Sequence, residues 1–213
     1  MDSRILQLAD SAFPSGSFAH SLGLEALRQL GGLRGEAQLA LRLRELCWNT
    51  AHAALPFLND AHQREPENAD RAADVFLSQH VANRASRAQG QAFLLAAEAA
   101  FDNPIVTSLR QELPFGHVAV VMGAALKLAG FELDDARQVF LFGAVRSALS
   151  AAVRLGVVGP LRGQKLLFEL HGELDRALAT TRELTSDQAA SVSPLVDCAQ
   201  GVQDRLYSRL FQS

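Results

Sequence analysis

Cysteine, tyrosine and tryptophan are scarce in this chain. Its two cysteines, Cys47 and Cys198, stand far apart among 213 residues and form no C-x-x-C. That excludes a disulfide framework, and a reduced, cytoplasmic setting is expected. Tyr and Trp occur once each, while Ala and Leu dominate the apolar residues. This balance favours helices over sheets. An excess of positive charge is also missing: 20 Lys and Arg face 23 Asp and Glu, for a net charge of −3. With no basic stripe, no nucleic-acid partner is expected. Long apolar runs are absent too. The most apolar stretch, 139–158, is interrupted by Arg146 and Arg154. It reads as a buried core helix, and no membrane association is expected. The opening MDSRILQLAD carries an acid at position 2 and no long apolar region, which excludes a signal peptide as the reading of that segment.

The motifs of common chemistry are missing as well. Gly159-Pro-Leu-Arg-Gly163-Gln-Lys165 resembles a phosphate loop only faintly. Its glycine spacing is wrong, no Ser or Thr follows Lys165, and no strand precedes it. Ser15, Ser17 and Ser21 lie in no G-x-S-x-G elbow. Of six histidines, only His171, with Asp175, has the helical spacing of a ligand pair, and no third ligand follows locally. Glu98 and Asp102 form a carboxylate pair at i, i+4, read as a solvated helix face. No catalytic, cofactor-binding or metal-binding residue is assigned, and the chain is not expected to be an enzyme.

What is present is a succession of helical patterns broken by Gly and Pro. The patterns predict one all-α domain of about ten helices over 1–213, with 204–213 as a short docking tail. The helices are expected at 3–9, 18–30, 36–60, 67–82, 84–101, 104–111, 117–129, 135–156, 160–182 and 194–210. Asn103-Pro104, Ser193-Pro194 and Gly159-Pro160 mark helix starts. Asp134-Asp135 suits a helix N-terminus, and Thr185-x-x-Gln188 reads as a capping box. Pro56 should kink its helix. Segments 62–71 and 183–193 read as flexible connections. Helix 135–156, apolar nearly all round, is expected at the centre. Gly123 and Gly143, each costly inside a helix, suggest close backbone approach.

Two places look built for contact. In the first, a short apolar helix runs into Phe13-Pro14-Ser15-Gly16-Ser17-Phe18, a fixed bend. His20, Ser21, Gly23 and Glu25 follow and point back at it. In the second, Leu206 and Leu210, and Tyr207 and Phe211, form i, i+4 apolar pairs if the tail is helical. An apolar chain end docks on something, either its own body or a partner. Arg209 lies between the pairs, placed to bridge to a carboxylate or carbonyl near the bend. Arg154 sits at the end of an apolar helix, able to reach outward.

The pattern Asp10…Phe13-Pro14-x-Gly16-x-Phe18…His20-Ser21-x-Gly23-x-Glu25 resembles the N-terminal signature of the UreF family of urease accessory proteins. Three more blocks are similar to that family and lie in order: Ala151–Gly156 with Gly163-Gln164, Ser191-x-Ser193-Pro194-Leu195, and Tyr207–Ser213. The stretch 57–115 matches only in general character. The resemblance implies an all-α homodimer without enzymatic activity of its own. It implies binding to UreD (UreH) and recruitment of the GTPase UreG, in the complex that loads nickel into apo-urease. Phe13, Pro14, Gly16, Phe18, His20, Ser21, Gly23, Glu25, Arg154, Tyr207, Arg209, Leu210 and Phe211 are the expected partner-binding residues. Arg154 is the expected link to UreG, and the tail the expected link to UreD. Two competing readings are a helical protein that carries nickel by binding it directly, and a small enzyme using His20 with Glu25.

Overall fold

Ala and Leu at helical spacing, with Gly or Pro at most of the breaks, leave the backbone to satisfy its hydrogen bonds within single segments. The computed structural model of the chain describes residues 3–101 and 104–213. Among these residues it forms α1 (Arg4–Ala9), α2 (Leu24–Gln29), α3 (Glu36–Ala53), α4 (Leu55–Gln63), α5 (Pro66–Phe76), α6 (His80–Phe101), α7 (Pro104–Glu112), α8 (Val118–Leu128), α9 (Leu133–Arg154), α10 (Pro160–Glu169), α11 (His171–Thr180) and α12 (Pro194–Gly201). Short 3-10 turns occupy Ser17–Ala19, Ser186–Gln188 and Gln203–Arg205, and there is no strand among the described residues. The fold is all-α.

Two helices make the centre. Helix α8 is buried at every position from Ala119 to Leu126 and packs on α4, α5, α6, α7 and α9. Helix α9 touches α1, α2, α3, α4, α8, α10 and α11. The expected central place of 135–156 is therefore shared. The approach of α8 to α4 requires Gly123, where an added Cβ would stand 2.5 Å from the Leu58 carbonyl oxygen. Gly143 does not fit the same expectation. A Cβ there would meet no atom within 4 Å, because it faces a void. The tightest approach is at Gly90 of α6, where a Cβ would lie 1.9 Å from the Gly116 carbonyl oxygen.

Several expected boundaries differ for local reasons. Pro56, which has no N–H to donate, breaks 36–60 into α3 and α4 rather than kinking it. The stretch 160–182 divides at Leu170. Segment 18–30 is not one helix: a 3-10 turn and an extended His20 precede the short α2. Residues 66–71 of the expected connection 62–71 belong to α5. The other connection, 183–193, is pinned down. Ser186 donates through N–H and hydroxyl to Asp60 at 2.9 and 2.6 Å, and the N–H groups of Val192 and Ser193 donate to the Asn49 side-chain oxygen at 2.8 and 3.0 Å. The capping box at Thr185 is present, whereas Ser193 caps α12 with no side-chain bond. Asp102 and Asn103, named above as a carboxylate partner and a cap, lie outside the described residues. Glu98 pairs with Arg110 at 3.0 Å.

Among the described residues, the one cation in the deep core is Arg137 of α9, 1% exposed. Its guanidinium donates to Asn59 Oδ1 at 2.6 Å, to the carbonyls of Thr181 and Leu178 at 3.0 and 2.6 Å, and to Thr181 Oγ1 at 3.1 Å. A buried charge needs that many partners. Here they tie α9 to α4 and to the end of α11.

Candidate functional site

The bend is set by packing and backbone geometry. Phe13 stacks obliquely on Phe93 of α6, with centroids 5.7 Å apart, while Pro14 is exposed. The Ser15 N–H donates to the Phe13 carbonyl at 2.8 Å. Gly16 turns at a φ of +75°, and a Cβ there would stand 2.9 Å from Ala92 Cβ. Gly23 turns at +84° and lies so close to α12 that a Cβ would reach Ala199 Cβ at 3.1 Å and Gln200 N at 3.2 Å. Leu22 before it also has positive φ, +54°, an uncommon state for a residue with a side chain.

Onto this bend folds the tail of the same chain. The Gln212 N–H donates to the Ala19 carbonyl at 2.8 Å, and the Ser21 N–H to the Ser213 carbonyl at 2.5 Å. The Ser21 hydroxyl donates to that same carbonyl at 2.9 Å. His20 Nδ1 and Ser213 Oγ are 2.7 Å apart. Glu25, 2% exposed, accepts the N–H of Leu210 at 2.6 Å, the N–H of Phe211 at 3.1 Å and the Gln203 side-chain amide at 2.7 Å. Arg154, the last residue of α9, donates to the Phe18 carbonyl at 2.7 Å. Its guanidinium lies over both the Phe18 and the Phe211 ring, 3.9 and 4.2 Å from their centroids.

The structure thus brings Phe18, His20, Ser21, Glu25, Arg154 and Phe211 into one interlock, and places the roles differently from the sequence reading. The tail is not a helical turn. After the 3-10 turn at Gln203–Arg205 it runs without helix, because Glu25 takes the N–H groups of Leu210 and Phe211 that a helix would use. The i, i+4 pairs are therefore not pairs: Phe211 is buried at 4%, while Tyr207 is fully exposed and Leu210 is 54% exposed. His20, Ser21, Gly23 and Glu25 are buried, so they brace the bend from within. Arg209 does not bridge to the bend. It pairs with Asp204 at 3.1 Å, beside Arg84 at 2.9 Å and His80 at 3.2 Å. The bridging role expected of Arg209 falls to Arg154. Gln203 and Asp204, the inner supports of the tail, carry no sequence signal. Both are ordinary polar residues, and their partners Glu25, Arg84 and His80 are more than a hundred positions away.

Burial, with the nearby Arg84 charge, pushes the His20 pKa down to about 4, so its ring is neutral at physiological pH. Hydrogen bonding to Arg84 holds the Asp204 carboxyl below the usual carboxylate range.

Elsewhere, one arrangement looks catalytic. Ser86 Oγ is 3.1 Å from His117 Nδ1, and His117 Nε2 is 3.3 Å from Asp74 Oδ1. Yet Ser86 Oγ also accepts the Val118 N–H at 3.3 Å. The N–H groups of Phe115, Gly116 and His117 are all spent on buried Asp70, at 2.8 to 2.9 Å. That turn has no donor left for an oxyanion; the network fastens α5, α6 and the start of α8 together. All six histidines are hydrogen-bonded, His52 to Trp48, His62 to Phe131 and His171 to Phe168 backbone carbonyls. Among the described residues no three His, Cys, Asp or Glu side chains converge as a metal site would require. No helix there is long and apolar enough to cross a membrane.

A family model described as UreF matches residues 33–171. The chain belongs to the UreF family. Relatives named urease accessory protein F are 31% identical in Oryza sativa subsp. indica, covering 96% of this chain and 82% of the relative, and 30% identical in Arabidopsis thaliana, covering 97% and 90%. A urease accessory protein UreF of Trichodesmium erythraeum is 30% identical over 97% of this chain and 94% of its own. The residues matched by the UreF model stop short of both bend and tail, whereas the pairwise similarities cover nearly the whole chain.

Proposed function

We propose that this UreF-family chain is a non-enzymatic scaffold of urease maturation, acting in the cytoplasm as a homodimer. In this reading it binds UreD (UreH) and the GTPase UreG, and the assembly inserts nickel into apo-urease. Nickel is cargo of the complex rather than a ligand of this chain. The observation that carries the proposal is the interlock: buried polar groups fix a segment whose outer face exposes Phe18 at 70%, Tyr207 fully and Leu210 at 54%. Exposed apolar groups on a segment fastened by buried hydrogen bonds suit a protein-contact surface. Pro14 and Arg209 extend the exposed rim.

Pull-down of UreD by the tagged chain tests this, comparing wild type with a Tyr207→Asp, Leu210→Asp double variant whose helicity is checked by circular dichroism. The variant is expected to stay folded and to capture at least about tenfold less UreD, equivalent to 1.4 kcal/mol. Capture at the wild-type level refutes the surface. Purified protein is expected to show no GTP turnover; turnover that follows the protein through sizing would contradict the scaffold reading.

A further inference from the structure

Between α3, α5, α6, α8 and α9, with the bend along one side, lies a partly open cavity of about 500 Å³. Protein interiors pack to near-crystalline density, with few voids larger than a water molecule. An unfilled cavity lowers stability as its volume grows. Ligand sites fall at roughly 300–1,000 Å³, and this void is within that range. Its wall is largely apolar, with Phe57, Phe76, Phe93, Phe140 and Met122 among its residues. On α9 the wall includes Gly143, where even a Cβ would touch nothing.

One wall residue is a cation without an ionic partner. Arg146 donates through Nη1 to the Ala9 carbonyl. Asp10 acts on it through space, but no carboxylate lies within ion-pair distance of it among the described residues. A guanidinium carries five N–H donors in a fork suited to two carboxylate oxygens. Asp197, also on the wall, has no cation paired with it among the described residues either, but both its oxygens accept hydrogen bonds, from Asn49 and Ser191. Burial lowers the pKa of both histidines on the wall, His20 to about 4 and His117 below its ordinary value. Of the two charged side chains on the wall, Arg146 is therefore the one with N–H donors beyond its single hydrogen bond to Ala9.

We propose that this cavity binds a small amphipathic carboxylate, its apolar body among the phenylalanines and its head group on Arg146. His20 and Ser213 share the wall, so an occupied cavity would also brace the seam between bend and tail.

Calorimetric titration of the full chain with decanoate tests the proposal, with decanol as an uncharged body of the same length. Saturable binding of decanoate near one equivalent is expected, with decanol and the Arg146→Gln variant each at least about tenfold weaker. Gly143→Leu, which grows into the void from a helix that tolerates leucine well, is expected to abolish binding while holding or raising the thermal midpoint. Absence of saturable decanoate binding to wild type overturns the proposal. So does equal affinity for decanol, or undiminished binding by Gly143→Leu. The decanol comparison uses wild-type protein and does not depend on any variant folding.

Discussion

A carboxylate buried as deeply as Glu25 must find donors, and it takes all of them from residues 203–211. The sequence reading placed Glu25 among the partner-binding residues. The structure buries it, so its loss is expected to lower stability as well as binding. Hydrogen bonds to charged groups contribute about 1.5–3 kcal/mol, and orphaned buried donors cost more, so Glu25→Ala is expected to lose about 3 kcal/mol in urea unfolding. A loss within about 0.5 kcal/mol, as for ordinary surface substitutions, would show that the tail is held by other means. Arg154 is clamped between two rings, each such contact contributing about 0.5–2 kcal/mol. Arg154→Ala is therefore expected to loosen the tail and lower UreD and UreG capture in parallel, rather than UreG alone. Pull-downs of both partners decide this. His20 sets a pH dependence. Its folded pKa of about 4 lies below the ordinary 6.5, so between these values the unfolded chain binds more protons. Stability conferred by neutral His20 is full above pH 6.5, falls as pH drops toward 4 and is flat below, a span of up to about 3 kcal/mol. His20→Gln should flatten this part of a plot of unfolding midpoint against pH.

Helices pack as closely as their smallest residues allow, and glycines separate cases that sequence cannot. Gly90→Ala would drive a methyl into the Gly116 carbonyl, and is expected to cost at least about 2 kcal/mol by overpacking. Gly143→Ala meets open space and is expected to gain up to about 1 kcal/mol from helix propensity. Thermal unfolding of the two variants should shift in opposite directions. Within the sequence both are single glycines inside helical patterns. Which one faces a neighbouring backbone depends on a partner element, so Gly123 was anticipated correctly, Gly143 was not, and Gly90 carried no signal. Helix identity was legible because 3.6-residue periodicity and Pro or Gly punctuation are local. The bend was legible for the same reason, since Pro14, Gly16 and Gly23 mark it directly. The tail was misread as a helix because its competing acceptor, Glu25, lies 185 positions from Leu210. The cavity was invisible, being defined by what several helices together leave unfilled.

For the whole molecule, the interlock changes the expected effect of truncation. Removing 204–213 takes away the donors to Glu25 from Leu210 and Phe211, the Ser213 partner of His20 and Ser21, and the Phe211 ring under Arg154. The shortened chain is expected to remain helical by circular dichroism but to melt several degrees lower and to lose UreD capture. An unchanged midpoint would show that the tail contributes nothing to the body it lies on. The seam also imposes an order on biosynthesis. His20 leaves the ribosome early, yet the serine it bonds is 193 positions behind it. Until that serine emerges, the bend is a socket without its plug. The bend is therefore fastened only once Ser213 has emerged, and a chain that stops short of it lacks the group that His20 and Ser21 bond.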